Sequence, residues 1–372
     1  MIALLICLVA GDLPRVEAIK GPSEGEVHAS IDRGVAYLLE SQNENGSWGA
    51  FSYTGGPVMY DPLPGSNHAF RSATTAMCIS ALIESGSTAA GVEDAIAQAG
   101  RWLLDDLPGV RRTAPDVLYN VWSYAYCTQA LVRMLERAET DEDRAEIREA
   151  IRGQLDRLAR AESVDGGWGY YDFRAQTAKS AADSTSFCNA AALVAMKEAS
   201  DAGIEPDAGV LKRALHATRL QRKPDFSYLY SLNHRVAPMG GINRPGGSLG
   251  RSQACNIALR MWGDEAVTDE VLSDWLHRLF ARQGWLDIGR KRPVPHESWF
   301  AVAGYFYYFG HYYGALCIEA LPEAERPFFE AHMAATLLPL QEADGSWFDY
   351  PLYQFHKPYG TAFAVMTLVR CR

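Results

Sequence analysis

The sequence lacks a surplus of basic residues, because 35 Lys and Arg stand against 45 Asp and Glu and give a formal net charge of −10. A general nucleic-acid binder needs a basic surface, so we expect no nucleic-acid partner. The chain also lacks a Cys-x-x-Cys pair, a P-loop, a dinucleotide-binding fingerprint and an aspartate-rich diphosphate–magnesium motif. We therefore predict neither a metal site nor a cofactor.

Apolar runs of membrane-spanning length are also missing. The run at the N-terminus, Ile2–Gly11, has about ten residues, which is too short to cross a bilayer. It precedes Val16-Glu17-Ala18, a plausible signal-peptidase site, although no Lys or Arg comes before the run. We predict an export signal over residues 1–18 and a periplasmic or secreted domain over 19–372, with a buried or disordered N-terminus as the alternative. Association with a membrane surface stays open.

Five segments repeat the pattern Cys-x-x-Ala, and four of them continue with Leu. Each segment is rich in small and apolar residues, so a helix there can be buried on most sides. The recurring Cys is then a small packing residue and not a metal ligand or redox group. The segments are Cys78–Leu82, Cys127–Leu131, Cys188–Leu193, Cys255–Leu259 and Cys317–Leu321, and Ala364–Leu368 is a sixth copy without the Cys.

Amphipathic segments with charges on one face alternate with these buried ones. The predicted outer helices are Val27–Ser41, Val92–Asp105, Asp143–Arg160, Ala208–Gln221, Asp269–Arg282 and Glu323–Gln341. Six outer helices that alternate with six inner helices predict an all-α fold, an (α/α)6 toroid. Outer-to-inner connections are long and inner-to-outer ones short, so we expect one rim to carry the long loops and the functional site.

Three outer helices end in a shared signature of Gln or Glu, then Gly four residues later and Trp two residues after that. The signature resembles the QW motif of squalene–hopene and oxidosqualene cyclases, in the squalene-cyclase and prenyltransferase repeat superfamily. The resemblance implies a terpenoid-cyclase-like toroid and a structural role for these residues, in which the Gln or Glu bonds a neighbouring helix. They are Gln42, Gly46 and Trp48; Glu162, Gly166 and Trp168; and Gln341, Gly345 and Trp347.

Asp183 is the candidate catalytic acid that this resemblance implies. Cyclases that protonate an alkene resemble one another in an Asp-x-Asp-Asp-Thr segment, and this chain has Ala181-Ala182-Asp183-Ser184-Thr185. Only the middle Asp, the proton donor of those relatives, is kept, and the alternative is that Asp183 caps an inner helix. Prenyltransferase β subunits hold zinc with Asp, Cys and His, but no His has the required spacing to Asp183 and Cys188.

Aromatic and polar residues are concentrated on the predicted rim. Aromatic faces bind isoprenoid chains and stabilise carbocations, but they also pack toroid cores and stack on sugars. The predicted ligand-binding residues are Tyr119, Trp122, Tyr124, Arg251, His296, Tyr307, Tyr308, His311, Tyr312, His356 and Tyr359.

Three functions remain open from the sequence. The first is a cyclase-like toroid that binds an isoprenoid or other hydrophobic ligand, with acid-initiated cyclisation as its chemistry if it is an enzyme. The second is an exported carbohydrate-active enzyme, a polysaccharide lyase or hydrolase, that uses His, Tyr and Arg of the same rim on an oligosaccharide. The third is a binding module without catalysis. A buried Asp183 that faces a dry aromatic cavity favours the first function. An open, charged groove with paired His and Tyr favours the second, and a cavity plugged by side chains favours the third.

Overall fold

A computed structural model describes residues 13–51, 63–174, 176–177, 179–181, 183–297 and 299–372. Within these ranges the protein is all-α, with thirteen α-helices, short 3-10 turns and isolated β-bridges but no β-strand. No helix among them is both long and apolar enough to cross a membrane.

Six amphipathic helices form the outer layer. Their bounds agree closely with the predicted ones except at the last, where Pro327 and Pro339 confine the α-helix and leave 3-10 turns on either side. The outer helices are α1 Glu24–Glu40, α3 Val92–Asp106, α5 Asp141–Ala161, α7 Ala208–Gln221, α9 Asp269–Arg282 and α12 Arg326–Leu337.

Six further helices form the inner layer, and a one-turn helix, α10 Gly284–Asp287, lies in a loop. Each inner helix packs against the next, and the ring closes where α13 packs against α2. The predicted (α/α)6 toroid is therefore confirmed. The inner helices are α2 Pro64–Ser85, α4 Asn120–Arg137, α6 Ser186–Asp201, α8 Leu249–Met261, α11 Phe306–Glu319 and α13 His356–Val369.

The recurring cysteines lie at the contacts between neighbouring inner helices. Cys127, Cys255 and Cys317 each direct Sγ at a backbone carbonyl of the preceding inner helix, at 3.6, 3.3 and 3.5 Å. Cys78 makes the corresponding contact with Pro358 of α13, at 3.7 Å, across the closure of the ring. All are buried free thiols, and burial raises their pKa. Their small side chains let the inner helices approach closely.

The three Gln/Glu–Gly–Trp signatures join each outer helix to its neighbours. Each signature tryptophan follows the end of its outer helix, and its indole N–H donates to a carbonyl of that helix ten residues earlier, at 2.7–3.0 Å. The three are Trp48, Trp168 and Trp347. Their backbone N–H groups donate to a side chain of the following inner helix: Thr75, Asn189 and Thr361 respectively.

The polar residue and the glycine of each signature reach the next outer helix. Gln42 donates to the Ala95 carbonyl of α3, and Glu162 accepts two hydrogen bonds from Arg213 of α7. The glycines have φ between 84° and 89°. A Cβ on Gly166 would lie 2.7 Å from the Arg213 carbonyl oxygen, so only glycine fits this close approach.

Partly buried ion pairs lie at the end of the toroid away from the long loops. Arg133 on α4 binds Glu84 of α2 at 2.6 Å and Glu198 of α6 at 2.7 Å. Arg370, just after α13, pairs with Glu84 and with Glu319 of α11. The ion pairs thus connect α2, α4, α6 and α11 with the end of α13.

Residues 13–18, at the end of the predicted signal, contact the outer layer. Arg15 pairs with Asp274 at 2.8 Å, and the backbone N–H of Val16 donates to His277 Nδ1 at 3.2 Å. The Glu17 carbonyl accepts a hydrogen bond from His332 at 2.9 Å. Residues 1–12 lie outside the described part of the chain, so export and cleavage after Ala18 stay predictions.

Candidate functional site

A cavity of about 430 Å³ opens inside the inner ring on the side of the long loops. Aromatic side chains form most of its wall, and they come from α2, α4, α6, α11 and α13 and from the loops that precede inner helices. The described lining residues are Phe70, Ala73, Thr74, Met77, Tyr119, Trp122, Tyr126, Tyr170, Tyr171, Phe187, Pro295, His296, Tyr305, Phe306, Phe309, Tyr350, Leu352, Tyr359 and Phe363.

A positional rule in the repeats accounts for much of this wall. The residues one, five and eight positions before the repeat Cys share one helix face, since these spacings are three and four. They line the cavity in α2 as Met77, Ala73 and Phe70, and at α4 as Tyr126, Trp122 and Tyr119. Phe187 at α6 and Phe363 and Tyr359 on α13 follow the same rule, whereas on α11 only Phe309 of the three positions lines the cavity. Sequence reasoning missed most of these residues, although the repeat register was available to find them.

Four residues predicted to bind the ligand do line the cavity: Tyr119, Trp122, His296 and Tyr359. Trp122 stacks at 5.9 Å on Phe187 and at 6.1 Å on Tyr126, so the wall is continuous between α4 and α6. His296 is brought in by the long loop between α9 and α11.

Four other residues predicted to bind the ligand, Tyr124, Tyr307, Tyr308 and Tyr312, are not among the described cavity-lining residues. On α11 the cavity face belongs to Phe306 and Phe309, and the residues between them point elsewhere because successive helical residues turn by about 100°. The rings of Tyr307 and Tyr312 lie beneath the guanidinium groups of Arg290 and Arg370. The Tyr124 hydroxyl donates to the Val110 carbonyl at 3.2 Å.

Arg251, His311 and His356 also lie outside the cavity lining. Arg251 is buried and donates to the carbonyls of Tyr228, Gly247 and Ile242, so its charge holds a loop in place. His311 is bound to the Tyr307 carbonyl at 2.7 Å, and burial lowers its pKa to about 4. His356 bonds to the Tyr353 carbonyl at the start of α13.

Asp183 is not among the cavity-lining residues, and it does not cap α6. It stands five positions before Cys188, but α6 begins only at Ser186, so residue 183 remains in the loop. Its Oδ1 accepts the backbone N–H of Asn233 at 3.2 Å, and Thr185 occupies the cap position of α6. The geometry therefore supports neither the catalytic-acid interpretation nor the interpretation of Asp183 as the N-cap of α6.

Tyrosine hydroxyls and one imidazole form a hydrogen-bonded cluster beside the cavity. Tyr170 bonds to Tyr230, and the Tyr305 hydroxyl lies 3.3 Å from His296 Nε2. His296 Nδ1 is 2.7 Å from the Ala301 carbonyl, so Nδ1 carries the proton and Nε2 accepts from Tyr305. Burial lowers the pKa of His296, which keeps the imidazole neutral.

Asp349 lies directly behind this wall and is fully buried. Its Oδ1 accepts the hydroxyl of Tyr359 at 2.7 Å, and its Oδ2 accepts the backbone N–H of Tyr308 at 3.0 Å. Burial raises the pKa of Asp349 to about 7, against the opposing effect of these two hydrogen bonds and of Arg290. Sequence reasoning missed Asp349, because a lone Asp after Gly-Ser-Trp gives no sign of its burial.

The raised pKa of Asp349 predicts a pH-dependent contribution to stability. Between about pH 4 and pH 7 the folded protein keeps a proton that the unfolded chain has lost, so stability falls as pH rises through this window. The contribution of this one group is on the order of 4 kcal/mol. We expect Asp349→Asn to gain stability relative to the wild type from pH 4.5 to pH 7.5 in urea titrations. A difference that does not change with pH would contradict the prediction.

Ordinary charged side chains are absent from the described cavity lining. No Asp, Glu, Lys or Arg is among those residues, and His296 is the only histidine among them. Across the described ranges, no group of three His, Cys, Asp or Glu side chains is arranged to hold a metal ion.

Solved structures share this architecture over nearly the whole chain. The type II terpene cyclase MstE from Scytonema matches with a TM-score of 0.51 over 94% of this chain and 98% of its own, at 17% identity. An inactive variant of an α-1,6-mannanase from Salegentibacter sp. HEL1_6, bound to α-1,6-mannotriose, gives 0.58 over 93% and 98%, at 11% identity. No family model and no curated protein sequence matches this chain. The protein therefore has the α/α toroid fold that terpene cyclases and mannanases share.

Proposed function

We propose that this protein binds a hydrophobic ligand of the isoprenoid class inside its inner ring. The observation that carries the proposal is the cavity of about 430 Å³, whose described wall is mostly aromatic. No Asp, Glu, Lys or Arg belongs to this wall, and burial favours the neutral form of its one histidine, His296. Such a cavity buries the apolar surface of a ligand at little electrostatic cost. The match to MstE, a variant of which was solved with geranylgeranyl dihydroxybenzoate, is consistent with a ligand of this class.

Cyclisation initiated by Asp183 is not supported by the geometry. A proton donor must lie within hydrogen-bonding reach of the reacting group, and Asp183 is not in the cavity lining. The proposal therefore concerns ligand binding, and it requires no catalytic role for Asp183.

An oligosaccharide is the second candidate ligand. The mannanase match and the hydrogen-bonded His296–Tyr305 pair favour it, since such a pair can exchange protons with a sugar. Against it, glycosidases commonly use two carboxylates, and the mannanase variants with two aspartates replaced are inactive. The described lining of this cavity has no carboxylate.

A cavity-filling variant tests the proposal. Ala73 is buried on α2 and lines the cavity, so Ala73→Phe places a ring in the ligand volume. We expect farnesol or squalene to raise the melting temperature of the wild type by mass action. Ala73→Phe should weaken their binding by about tenfold or more, as measured by calorimetry or thermal shift.

The matched control is Ala97→Phe, which adds the same ring to an exposed position of α3. It should bind like the wild type. A saturable shift with α-1,6-mannotriose alone would support the second candidate and overturn the first. Binding that Ala73→Phe leaves unchanged would place the ligand outside the inner ring.

A further inference from the structure

Four polar side chains of the cavity lie close together on one wall, which we call the polar wall and define as His296, Tyr305, Tyr350 and Tyr359. The hydroxyls of three other lining residues, Tyr119, Tyr170 and Tyr171, bond to tyrosine hydroxyls. Tyr305 contacts His296 through its hydroxyl, and its ring lies 5.4 Å from that of Tyr350. The Tyr359 hydroxyl lies 3.5 Å from the Tyr350 carbonyl. Elsewhere in the lining, Met77, Phe187, Phe309 and Phe363 present only apolar surface.

Asp349 supports the polar wall from behind, and its side chain has no ion-pair partner among the described residues. Arg290 is engaged with Asp287 at 2.6 Å, and the Lys291 ammonium is engaged with Glu342 at 2.6 Å. From α11 and α13 the carboxyl meets only the Tyr308 N–H and the Tyr359 hydroxyl. A fully buried carboxyl without a cation is more stable when it is protonated.

The proton on Asp349 changes what Tyr359 can do. When the carboxyl is ionised, Tyr359 uses its only O–H to donate to Oδ1. When the carboxyl carries a proton on Oδ1, the direction of this hydrogen bond reverses, because the carboxyl donates and the tyrosine oxygen accepts. The O–H of Tyr359 can then turn either to the Tyr350 carbonyl, 3.5 Å away, or to a ligand group in the cavity that Tyr359 lines.

We propose that Asp349 holds a proton and, through Tyr359, presents a hydrogen-bond donor to an uncharged oxygen of the ligand. The inference rests on the proposed function and narrows it to hydrophobic molecules with an alcohol, ketone or ether oxygen. Tyr359 contacts the ligand, and Asp349 is a positioning residue that acts through it.

The absence of cations from the described lining supports an uncharged ligand. A diphosphate loses its hydration on entering the cavity, and no Arg or Lys of the described lining replaces it. A single uncharged oxygen needs only one donor, and the polar wall provides it.

Binding of three probes to the wild type and to Tyr359→Phe tests the inference. The probes are farnesol, squalene, which has no oxygen, and farnesyl diphosphate. We expect Tyr359→Phe to weaken farnesol binding about five- to tenfold, the effect of one hydrogen bond, and to leave squalene binding within about twofold. Farnesyl diphosphate should bind more weakly than farnesol. The matched control is Tyr124→Phe, which removes a buried hydroxyl outside the cavity lining and should change none of the affinities.

Infrared spectroscopy of the full chain tests the proton on Asp349 without any ligand. A protonated-carboxyl band should be present at pH 6, absent in Asp349→Asn, and shifted by farnesol in the wild type but not in Tyr359→Phe. A wild-type spectrum without an Asp349 band would overturn this inference and leave the proposed function standing. Equal farnesol affinity in the wild type and Tyr359→Phe would have the same meaning. If none of the three probes binds, the proposed function and this inference both fail.

Discussion

Replacing Trp168 with alanine should lower the free energy of unfolding by about 3–5 kcal/mol, as expected for a large aromatic side chain deleted from a core. Trp168 is completely buried, and its indole N–H donates to the Leu158 carbonyl at 2.8 Å. The substitution creates a cavity between α5 and α6 and leaves that carbonyl without its partner. Urea denaturation followed by far-ultraviolet circular dichroism measures the loss.

Trp299→Ala is the matched control for this experiment. Trp299 is 67% exposed in the long loop before α11, so its removal should change stability by no more than about 0.5 kcal/mol. Equal losses in the two variants would show that Trp168 has no special role in joining the outer and inner layers.

Replacing Arg133 with leucine should be comparably destabilising, by about 3–5 kcal/mol. The Arg133 side chain is only 11% exposed, and it neutralises Glu84 and Glu198 at once. Leucine removes this charge and leaves Glu198 without a cation, although Arg370 still pairs with Glu84. The pairs hold the pKa of Glu84 below its usual value despite burial, so the loss should be larger at pH 7 than at pH 4.

Arg101→Leu breaks an exposed ion pair and is the control for charge removal. The Arg101 and Glu146 side chains are 58% and 47% exposed, and such surface pairs contribute roughly 0–1 kcal/mol. If Arg133→Leu were as mild as Arg101→Leu, the ion pairs at that end of the toroid would not stabilise the ring.

The fold could be predicted from the sequence because each helix carries a local signal. Charge on one face identifies α5 and α9, and the Cys-x-x-Ala pattern identifies the inner helices. The start of α2 is harder to predict, since the helix already begins at Pro64, well before the Cys-x-x-Ala segment at Cys78. Proline at the first helical position is compatible with a helix, and aromatic and polar residues follow it without amphipathic order.

The candidate site was harder to predict because its residues come from several loops and helices. Tyr307 and Tyr308 belong to the densest aromatic run, but composition does not show which face of α11 meets the cavity. His296 lines the cavity because a loop brings it there, whereas Asp349 lies behind it because Trp347 fixes the end of the preceding segment. Tyr126, Phe187 and Phe363 each stand one position before the repeat Cys or its equivalent Ala364, and this position identifies them as cavity-lining residues.

The contact between α13 and α2 has a consequence for synthesis of the protein. During translation each new inner helix can pack on its predecessor, but α2 keeps one uncovered side until α13 has left the ribosome. The ring therefore ends its assembly with a contact between distant parts of the chain, a step that is slow because a long loop must close. Until then Phe70, Met77 and the other apolar residues of the unfinished cavity face water, so nascent chains that stop before α13 are expected to attract chaperones or to aggregate.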